Sequence, residues 1–458
     1  MKSEPIPGLK SRSFQLSPDQ LDHAGDWDVV VVGGGPAGCA AAVGAASSGS
    51  RTLLIERCCA LGGMGTLARV PAWCPYSDRK QQIHRGFAGR MLSRSLASTP
   101  HIDPNRLDWV PISFEHLKVI YDEEVTNSGA EVRFDTLVVD VVSDEEGLMS
   151  GLVVADKAGL HLIRGAVFID CTGDADLVAR CDVDIHMGDD QGGELMPSTM
   201  CFTLANCQKT GDDRSLDLIN PRGDRPSVIH EIRQDPLFKE IPDDHICVAL
   251  TGPGCMSFNA GHIYDIDNTQ PESVSRGVMQ GRRLAQLYRD GLAKYLPEIF
   301  GEAVLINTGS LLGVRETRRI IADYELTIKD YLDRRSFEDD ICRNAYFIDI
   351  HLYSEEVEDD KPWEERVHGR FEKYQPGESH GIPYRSLCPK ALKNVLVAGR
   401  CIGTDRAVNA SVRVMPVCLS TGEAAGVAAS MAIASQDIHQ INVQQLRTEL
   451  ISRGVYLS

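Results

Sequence analysis

The chain is poor in aromatic residues, at 6% of its 458 residues, and it lacks long apolar runs. Stretches that approach the roughly eighteen apolar residues of a membrane span are broken by glycine, so no span is expected. Its 14 cysteines include no Cys-x-x-Cys pair, and a chain this long needs no disulfide scaffold, which favours reduced thiols. Residues 1–26 have neither the apolar core of a secretory signal nor a twin arginine. The sequence therefore predicts a soluble, cytoplasmic protein.

Basic residues are also scarce, since 47 Lys and Arg stand against 65 Asp and Glu, which gives a formal net charge of −18. This excess of negative charge disfavours nucleic acids and anionic membrane surfaces as partners. An anionic cofactor would have to be held by local positive features. The hydrophobic fraction of 43% is ordinary for a globular protein, and the length leaves room for two domains.

Residues 28–56 carry the strongest local pattern. Residues 29–32 are four consecutive valines, which is typical of a strand buried on both faces of a parallel sheet. Gly33, Gly35 and Gly38 follow as Gly-x-Gly-x-x-Gly. The first glycine permits a tight turn, the second lets the backbone approach a pyrophosphate, and the third allows the next helix to pack closely. Pro36 lies where a first helical turn tolerates a missing N–H.

The helix that begins at Pro36 would direct its unpaired N–H groups and the positive end of its dipole at a phosphate. Residues 51–55 predict a second strand, and Glu56 lies at its end, where a carboxylate accepts hydrogen bonds from ribose hydroxyls. The glycine pattern alone would be a weak signal. The strand before it, the helix after it and the acidic residue at this spacing together predict a dinucleotide site.

Hydrophobic spacing predicts the remaining elements. The predicted helices cover residues 87–96, 114–127, 271–295, 315–334 and 415–434. The predicted strands cover residues 131–142, 151–155, 166–170 and 394–398. The strand at 166–170 leads into Cys-Thr-Gly-Asp-Ala-Asp at 171–176. This places the backbone of Gly173 at the carboxyl edge of the sheet, where open α/β sheets bind ligands.

Three separated parts of the sequence together resemble a known family. The first dinucleotide motif continues into Leu-Gly-Gly-Met-Gly-Thr at 61–66, and the second part is Val-Phe-Ile-Asp-Cys-Thr-Gly-Asp-Ala-Asp at 167–176. The third and most specific part comprises the tail segments 382–387, 394–401 and 411–416, and segments 315–320 and 349–351 also look like family signatures. Over residues 26–435 the chain resembles the FAD-dependent oxidoreductase family, whose members share the glutathione-reductase-like flavin fold.

The predicted fold class is α/β, with a Rossmann-like FAD-binding domain and an inserted α+β substrate domain. We assign residues 1–26 to an N-terminal arm, 27–184 to the first part of the FAD-binding domain, 185–384 to the substrate domain and 385–458 to the C-terminal part of the FAD-binding domain. The first and last segments are expected to share one sheet, because residues 394–398 again read as a buried strand.

The resemblance implies which residues hold the flavin. Glu56 would hold the adenosine ribose, Val138 would lie beside the adenine, and Gly399 and Arg400 would lie by the ribityl chain and the phosphates. Gly62 and Gly63 would run near the flavin, and Gly173 near the pyrophosphate. The implied set is Gly33, Gly35, Pro36, Ala37, Gly38, Glu56, Arg57, Gly62, Gly63, Val138, Gly173, Gly399 and Arg400.

One non-covalently bound FAD is the simplest cofactor prediction. Enzymes that use both FAD and NAD usually repeat the glycine fingerprint, and no second copy follows a strand in this sequence. The Cys-x-x-x-x-Cys pair of disulfide reductases is also absent. Reduction leaves negative charge near the flavin N1, which the N-terminus of a helix at Met415 and Pro416 would stabilise. Arg413 could add a full positive charge there, or form a structural ion pair.

The substrate side gives a weaker signal. Oxidation of an alcohol or amine at a flavin needs a base, and histidine suits this role at neutral pH. His262, His351 and His380 lie in segments that could face the flavin, although the ordinary reading of each is a structural or surface histidine. Tyr384 is either a hydrogen-bond donor or a packing residue.

Arg315 could bind an anionic substrate group or form a helix-end ion pair with Glu316. No metal-ligand spacing, phosphate-transfer loop or nucleophile elbow is present, so no metal is expected. The adjacent Cys58 and Cys59 favour two ordinary thiols, since a disulfide between neighbours requires a strained ring.

The sequence leaves two hypotheses for the function. The preferred hypothesis is an FAD-dependent oxidoreductase that transfers a hydride between a small organic substrate and FAD, and the alternative is a flavin-fold binding protein without redox turnover. The intact glycines and Glu56 favour the enzyme. The substrate, the direction of reaction, the electron acceptor and homo-oligomerisation leave no readable motif.

Overall fold

The computed structural model describes residues 20–189, 194–208, 219, 227–351 and 371–457. Residues 1–19 of the predicted N-terminal arm lie outside this range, and residues 22–26 already belong to the first strand. The strands are β1 Asp22–Val32, β2 Thr52–Ile55, β3 Ala72–Trp73, β4 Val110–Pro111, β5 Glu131–Arg133, β6 Leu137–Ser143, β7 Met149–Asp156, β8 Gly159–Asp170, β9 Ile185–Met187, β10 Ser198–Thr199, β11 Phe202–Ala205, β12 Ile246–Gly252, β13 Cys255–Ala260, β14 His262–Ile263, β15 Val304–Thr308, β16 Arg318–Ile320, β17 Asp340–Asn344, β18 His380–Pro383 and β19 Val395–Val397.

The α-helices divide into long helices that cover the main sheet or the second core and short ones in the connections. They are α1 Pro36–Ala46, α2 Phe87–Ala97, α3 Phe114–Asn127, α4 Val228–Gln234, α5 Pro271–Tyr295, α6 Pro297–Phe300, α7 Ile328–Leu332, α8 Arg406–Val412, α9 Met415–Ala432 and α10 Val443–Ser452. The predicted helices at 87–96, 114–127, 271–295 and 415–434 are therefore confirmed, with small shifts at their ends.

The main sheet has the strand order β5-β2-β1-β8-β7-β6, and β19 also pairs with β8. β1 runs parallel to both β2 and β8, so its four valines are buried from both faces, as predicted. β19 pairs in parallel with the end of β8, with Val395 opposite Phe168. The first and last segments of the chain therefore share one sheet, and β6 and β7 extend it as antiparallel strands.

Helices α1 and α9 pack against each other on one face of this sheet, and glycine allows their backbones to approach. A Cβ atom built on Gly422 would lie 2.1 Å from the carbonyl oxygen of Ala37, and one on Gly426 would lie 2.1 Å from that of Ala41. No larger residue fits at either position, because real Cβ atoms do not come so close to backbone. This contact explains the alanine- and glycine-rich composition of α9.

A second hydrophobic core forms between Met200 and Val314. Its frame is the antiparallel sheet β12-β13-β11-β15, which packs on α5. The rings of Phe202 and Phe258 stack across β11 and β13 at a centroid distance of 4.9 Å. The loop after β14 reaches the carboxyl edge of the main sheet, where Asn268 donates a hydrogen bond to Asp174.

The predicted helix at 315–334 is wrong. Residues Arg318–Ile320 form β16, which pairs with β9, and only Ile328–Leu332 are α-helical. The extended backbone is stabilised by a buried ion pair between Glu316 and Arg319, at 2.9 Å. A capping box of Thr327 and Asp330 then starts the short helix.

The predicted strand at 131–142 is two strands. Asp135 adopts a φ of 53°, which interrupts the extended backbone between β5 and β6. The Thr136 N–H donates instead to the carbonyl of Glu56.

No single helix in the described residues has both the length and the apolar character to cross a membrane. The pair α8 and α9 reaches that threshold only when taken together, across a bend of 92°.

Candidate functional site

The glycine loop between β1 and α1 has the geometry that a pyrophosphate requires. Gly33 has a φ of 97°, and a Cβ on Gly38 would lie 1.8 Å from the carbonyl oxygen of Gly33. These two glycines therefore serve the turn and the close packing of the helix. A Cβ on Gly35, in contrast, would meet nothing within 4 Å. The backbone of Gly35 thus borders open space at the N-terminus of α1, where unpaired N–H groups attract a phosphate.

Glu56 lies at the end of β2 and is held in a fixed orientation. One carboxylate oxygen accepts the N–H of Gly34 at 2.6 Å, and the other accepts the N–H of Cys58 at 2.7 Å. A carboxylate has about four acceptor positions, so two remain for ribose hydroxyls. Val138 follows the Thr136 contact to Glu56 and is buried in β6. These contacts are compatible with the predicted adenosine end of the site, which stays a prediction.

The second glycine segment connects this loop to the start of α9. Gly62 and Gly63 have φ values of 92° and 42°, which favour glycine. A Cβ on Gly63 would lie 3.1 Å from Cα of Gly35, and one on Gly65 would lie 3.1 Å from the sulfur of Met415. A continuous surface of bare backbone therefore runs from the glycine loop to the N-terminus of α9.

Arg400 braces the next edge of the site. Its guanidinium donates to the carbonyl of Gly173 at 2.8 Å, to the carboxylate of Asp174 at 2.6 Å and to the carbonyl of Val314 at 2.8 Å. Burial would raise the pKa of Asp174, but the charge of Arg400 outweighs it and the pKa is lowered. The structure thus shows Arg400 fixing Gly173, whereas its predicted contact with the ribityl chain and phosphates stays a prediction. Gly399 has a φ of 90° beside Ala37.

These features fit an FAD molecule. The glycine loop offers backbone amides and space, the carboxylate at the end of β2 is oriented, and a second helix N-terminus lies at the far end of the bare backbone surface. Arg57 is exposed beside this surface, and its charge also reaches Asp174.

Arg413 links this surface to a buried polar cluster. It ends α8, two residues before α9, and donates to the backbone carbonyl of Asp349 at 2.8 Å. The carboxylate of Asp349 lies 3.5 Å from the same guanidinium nitrogen. Arg413 is 11% exposed. Arg413 therefore forms the structural ion pair that was one of its two predicted roles. It also lies two residues before Met415, the position predicted for its role at the flavin.

Four side chains beyond Arg413 form the Asp–His–His–Asp chain. Asp243 Oδ2 lies 2.9 Å from Nδ1 of His262, and Nε2 of His262 lies 2.8 Å from Nδ1 of His351. Nε2 of His351 faces Asp349 Oδ2 at 3.4 Å. His262 is 0% exposed, whereas the side chain of Asp349 is 19% exposed. The chain therefore has a closed end at Asp243 and an open end at Asp349.

The surroundings of this chain fix its charges. The ring of His245 stacks on His262 at 4.5 Å, and the hydroxyl of Tyr264 donates to Asp243 Oδ2 at 2.8 Å. Burial lowers the pKa of His262, His245 and His351. Burial acts to raise the pKa of Asp243, but the charge and hydrogen bond of His262 hold it well below its usual range. Asp243 is thus a buried carboxylate that is fully supplied with donors.

Arg315 lies on the other side of the cluster. It donates to the carbonyl of Pro197 and the hydroxyl of Thr199, both at 2.7 Å. Burial lowers its pKa to about 10, helped by the charge of Arg413. The predicted alternative, an ion pair with Glu316, is wrong. Glu316 pairs with Arg319 and Arg406 instead.

The structure brings His262, His351 and Arg315 into one cluster but places Tyr384 and His380 elsewhere. The hydroxyl of Tyr384 donates to the carbonyl of Ile438 at 2.8 Å. The ring of His380 bonds the hydroxyl of Tyr374 at 2.6 Å. These contacts tie both residues to the core around β18. Neither makes a described hydrogen bond with the Asp–His–His–Asp chain.

The sequence reasoning missed Asp243, His245 and Tyr264, and it noted Asp349 only as part of a signature. A signal was available, because Asp243 and His245 are two residues apart, as are His262 and Tyr264. Residues at this spacing lie on one face of an extended segment. Two such polar pairs, one just before β12 and one at β14, are a signal of a polar cluster.

Comparison with curated proteins finds a partial relative. Thiamine thiazole synthase of Methanococcus aeolicus is 29% identical over 165 residues, which is 32% of this chain and 54% of the relative. The match thus spans about half the length of that protein.

Solved structures are similar over most of the chain but at low scores. A geranylgeranyl bacteriochlorophyll reductase-like protein from Thermoplasma acidophilum has a TM-score of 0.45 and 13% identity, over 94% of this chain and 84% of its own. The p-nitrophenol 4-monooxygenase of Pseudomonas putida has a TM-score of 0.42 and 14% identity, over 94% of this chain and 85% of its own. Similarities with such low TM-scores do not support any assignment for this protein.

The family comparison covers most of the sequence. The model of the FAD-dependent oxidoreductases matches residues 28–450, from the first buried valine strand to the last helix. FAD is the cofactor of that family, in agreement with the bare glycine loop and the oriented carboxylate of Glu56. The chain therefore belongs to the FAD-dependent oxidoreductase family.

Proposed function

We propose that this protein is a redox enzyme that transfers a hydride between a small anionic organic substrate and non-covalently bound FAD. The observation that carries the proposal is the pair of arginines, buried Arg315 and partly buried Arg413, beside the Asp–His–His–Asp chain. We place this cluster at the flavin end of the bare backbone surface. Within the proposal, residues 27–184 and 385–458 form the FAD-binding domain of glutathione-reductase-like type, and residues 185–384 form the substrate domain.

The residues that would hold FAD form a connected path. The backbone at Gly35 and the N-terminus of α1 bind the pyrophosphate, and Glu56 binds the ribose. The backbone of Gly63 passes close to Gly35, and that of Gly65 passes close to Met415 at the start of α9, since a Cβ on either glycine would lie 3.1 Å from that neighbour. Bound FAD supplies a two-electron acceptor or donor at this end of the path. The positive end of the α9 dipole and Arg413 favour negative charge there.

The two arginines supply the charge that an anionic substrate needs. Repulsion from Arg413 contributes to the lowered pKa of Arg315, so the two guanidinium groups feel each other. Asp349 lies against Arg413, whereas Arg315 is held by neutral oxygens of Pro197, Thr199 and Asn259. A substrate carboxylate would relieve this repulsion and accept a charge-assisted hydrogen bond from Arg315. We therefore favour small hydroxy acids or amino acids over neutral alcohols.

The Asp–His–His–Asp chain would manage the proton that accompanies the hydride. The chain has three contacts, Asp243 to His262, His262 to His351 and His351 to Asp349, and each needs one proton or cation between its two atoms. Two neutral imidazoles carry only two such protons. A proton taken up from the substrate would add one positive charge between His262 and His351, whose pKa values burial lowers so that they are neutral at rest. A charge at that position stabilises an oxygen anion on the substrate, and the outer Asp349 orients His351.

Anaerobic mixing of the purified holoprotein with a substrate panel tests the proposal. The panel pairs each small 2-hydroxy or 2-amino acid with its neutral amide, and bleaching of the flavin absorbance is the readout. We expect bleaching with one or more acids and at least about tenfold weaker apparent binding of the matching amide, since a lost charge-assisted hydrogen bond costs about 1.5–3 kcal/mol.

Variants of Arg315 sharpen this test. Arg315→Gln should raise the apparent KM for the acid about 10- to 100-fold and leave the flavin content unchanged. Arg85→Gln is the matched control, because Arg85 is exposed and its described contacts, with Gln81, Gln82 and the ring of Tyr456, are all remote from the cluster. Equal bleaching by acids and amides would contradict the anionic substrate. A holoprotein that dithionite bleaches but no panel member reduces would favour the binding protein without redox turnover.

A further inference from the structure

Three buried histidine side chains meet at the centre of the Asp–His–His–Asp chain. His245 precedes β12, His262 begins β14, and His351 lies in the loop after β17. Each offers one ring nitrogen, and these three nitrogens all lie within 4.8 Å of one another. Three imidazoles from three segments of the fold thus converge on one point. A structural histidine that needs only one hydrogen-bond partner does not require this convergence.

The outer ring nitrogens of two of these histidines face carboxylates. Nδ1 of His262 lies 2.9 Å from Asp243, and Nε2 of His351 lies 3.4 Å from Asp349. Histidines that bind metal ions almost always direct their other ring N–H to a carboxylate, a carbonyl or water, which fixes the tautomer. Asp243 is itself fixed by the hydroxyl of Tyr264 and the backbone N–H of His245. The carboxylate layer expected around a metal centre is therefore already in place.

When both outer nitrogens carry their hydrogens, the inner nitrogens present lone pairs to each other, whereas the other tautomer of His351 would donate its Nδ1–H to His262. Nε2 of His262 and Nδ1 of His351 are 2.8 Å apart. Two lone pairs at this distance repel unless a cation lies between them. Two nitrogens that are each about 2.0–2.1 Å from one tetrahedral ion lie roughly 3.3–3.4 Å apart, so this pair would open by about 0.5 Å to take up an ion. A shared proton would also satisfy this pair, whereas an ion would in addition hold the ring of His245.

We propose that His245, His262 and His351 bind one divalent transition-metal ion, with Asp243 and Asp349 as the surrounding carboxylates. Three imidazole nitrogens suit ions such as zinc, iron, copper or nickel rather than magnesium or calcium, which prefer oxygen. Three protein ligands leave at least one position for a water or a substrate oxygen, as in catalytic metal sites. The sequence shows no metal motif because the ligands come from three separate segments. The proposal goes beyond the flavin assignment and does not depend on it.

Metal analysis of the full-length protein tests the proposal directly. The protein is purified with a tag that contains no histidine, and its metal content is measured by mass spectrometry. The metal is then removed with a chelator and replaced by Co²⁺, whose visible absorption and electron paramagnetic resonance report nitrogen coordination. We expect about one ion per chain and a Co²⁺ spectrum with several nitrogen ligands.

Four variants locate the ion. His262→Gln and His351→Gln should bind Co²⁺ at least about 100-fold more weakly, and Asp243→Asn about 10- to 100-fold more weakly. His84→Gln is the matched control, because His84 is equally buried but bonds Ser420 instead. It should bind Co²⁺ like the unaltered protein. Flavin content, measured in parallel, reports whether each variant still folds.

Several outcomes would overturn the proposal. One is an unaltered protein that contains no metal and gives no Co²⁺ spectrum. Another is an ion that persists in both His262→Gln and His351→Gln. If those variants fail to fold, Asp243→Asn decides, since unchanged Co²⁺ affinity in that variant would also overturn it. None of these results depends on substrate turnover, so failure here and failure of the proposed redox function are distinguishable.

Discussion

Replacement of Gly35 by valine should separate cofactor binding from folding. Gly35 has φ −70° and ψ −174°, an extended conformation that valine adopts readily. A Cβ at this position meets no protein atom within 4 Å. The added side chain would instead occupy the space through which a pyrophosphate approaches the N-terminus of α1. We therefore expect a stable apoprotein that no longer retains FAD.

The size of the effect follows from ligand linkage. FAD at 100 times its dissociation constant adds about 2.7 kcal/mol to the free energy of unfolding. If Gly35→Val weakens binding 100-fold, the same FAD concentration equals the new dissociation constant and adds only about 0.4 kcal/mol. The variant should thus lose most of the FAD-dependent rise in melting temperature, while the melting temperature of the apoprotein stays near that of the unaltered chain.

Flavin stoichiometry and thermal melting, each with and without added FAD, measure both quantities. Gly38→Ala is the informative comparison, because its Cβ would lie 1.8 Å from the carbonyl oxygen of Gly33. That variant should destabilise the apoprotein as well as weaken FAD binding. Full flavin content in Gly35→Val would refute the position of the phosphate loop. A lower melting temperature of the Gly35→Val apoprotein would contradict the inference that the space beside Gly35 is open.

Three further predictions concern other parts of the fold. Arg413→Ala should lower the flavin reduction potential by some tens of millivolts, since about 1.4 kcal/mol corresponds to about 30 mV, and an unchanged potentiometric titration would remove Arg413 from the flavin site. Asp340→Asn should stabilise the protein by about 1–3 kcal/mol at pH 8 but not at pH 4. Burial raises the pKa of Asp340 to about 6, so stability is lost as pH rises through that value, and equal urea midpoint shifts at both pH values would contradict this. Gly426→Ala should cost about 1–3 kcal/mol, because its Cβ would meet Ala41 at 2.1 Å, whereas Ser435→Ala beyond α9 should change the unfolding free energy by less than about 0.5 kcal/mol.

Local patterns predicted the parts of this fold in which local physics dominates. The four valines of β1 and the three glycines after it specify a strand, a turn and a helix within one short segment. The glycine spacing predicts a steric constraint between near neighbours, since a Cβ on Gly38 would clash with the carbonyl oxygen of Gly33, only five residues earlier. The pairing of β19 with β8 was also predictable, because a run of buried apolar residues requires a place inside a sheet.

The errors arose where distant contacts override local spacing. Residues 315–334 have apolar residues at helical intervals, but the pairing of Arg318 with Met187 and the buried ion pair of Glu316 keep them extended. The Asp–His–His–Asp chain was missed for the same reason, because His262 and His351 meet in space although they are 89 residues apart in sequence. No spacing rule joins such residues before the second core places β14 beside the loop after β17.

The position of Arg413 couples the two halves of the proposed site. Its backbone lies two residues before the N-terminus of α9, and its guanidinium contacts Asp349 at the open end of the histidine chain. Negative charge on a reduced flavin and negative charge on a bound substrate would both be stabilised by this one arginine. Negative charge on the flavin therefore weakens the attraction between Arg413 and the substrate. By linkage, a bound anionic substrate weakens the stabilisation of the reduced flavin to the same extent. Arg315, which neutral oxygens hold in place, supplies a second cation that limits this competition, so that an anionic substrate can bind while the flavin carries charge.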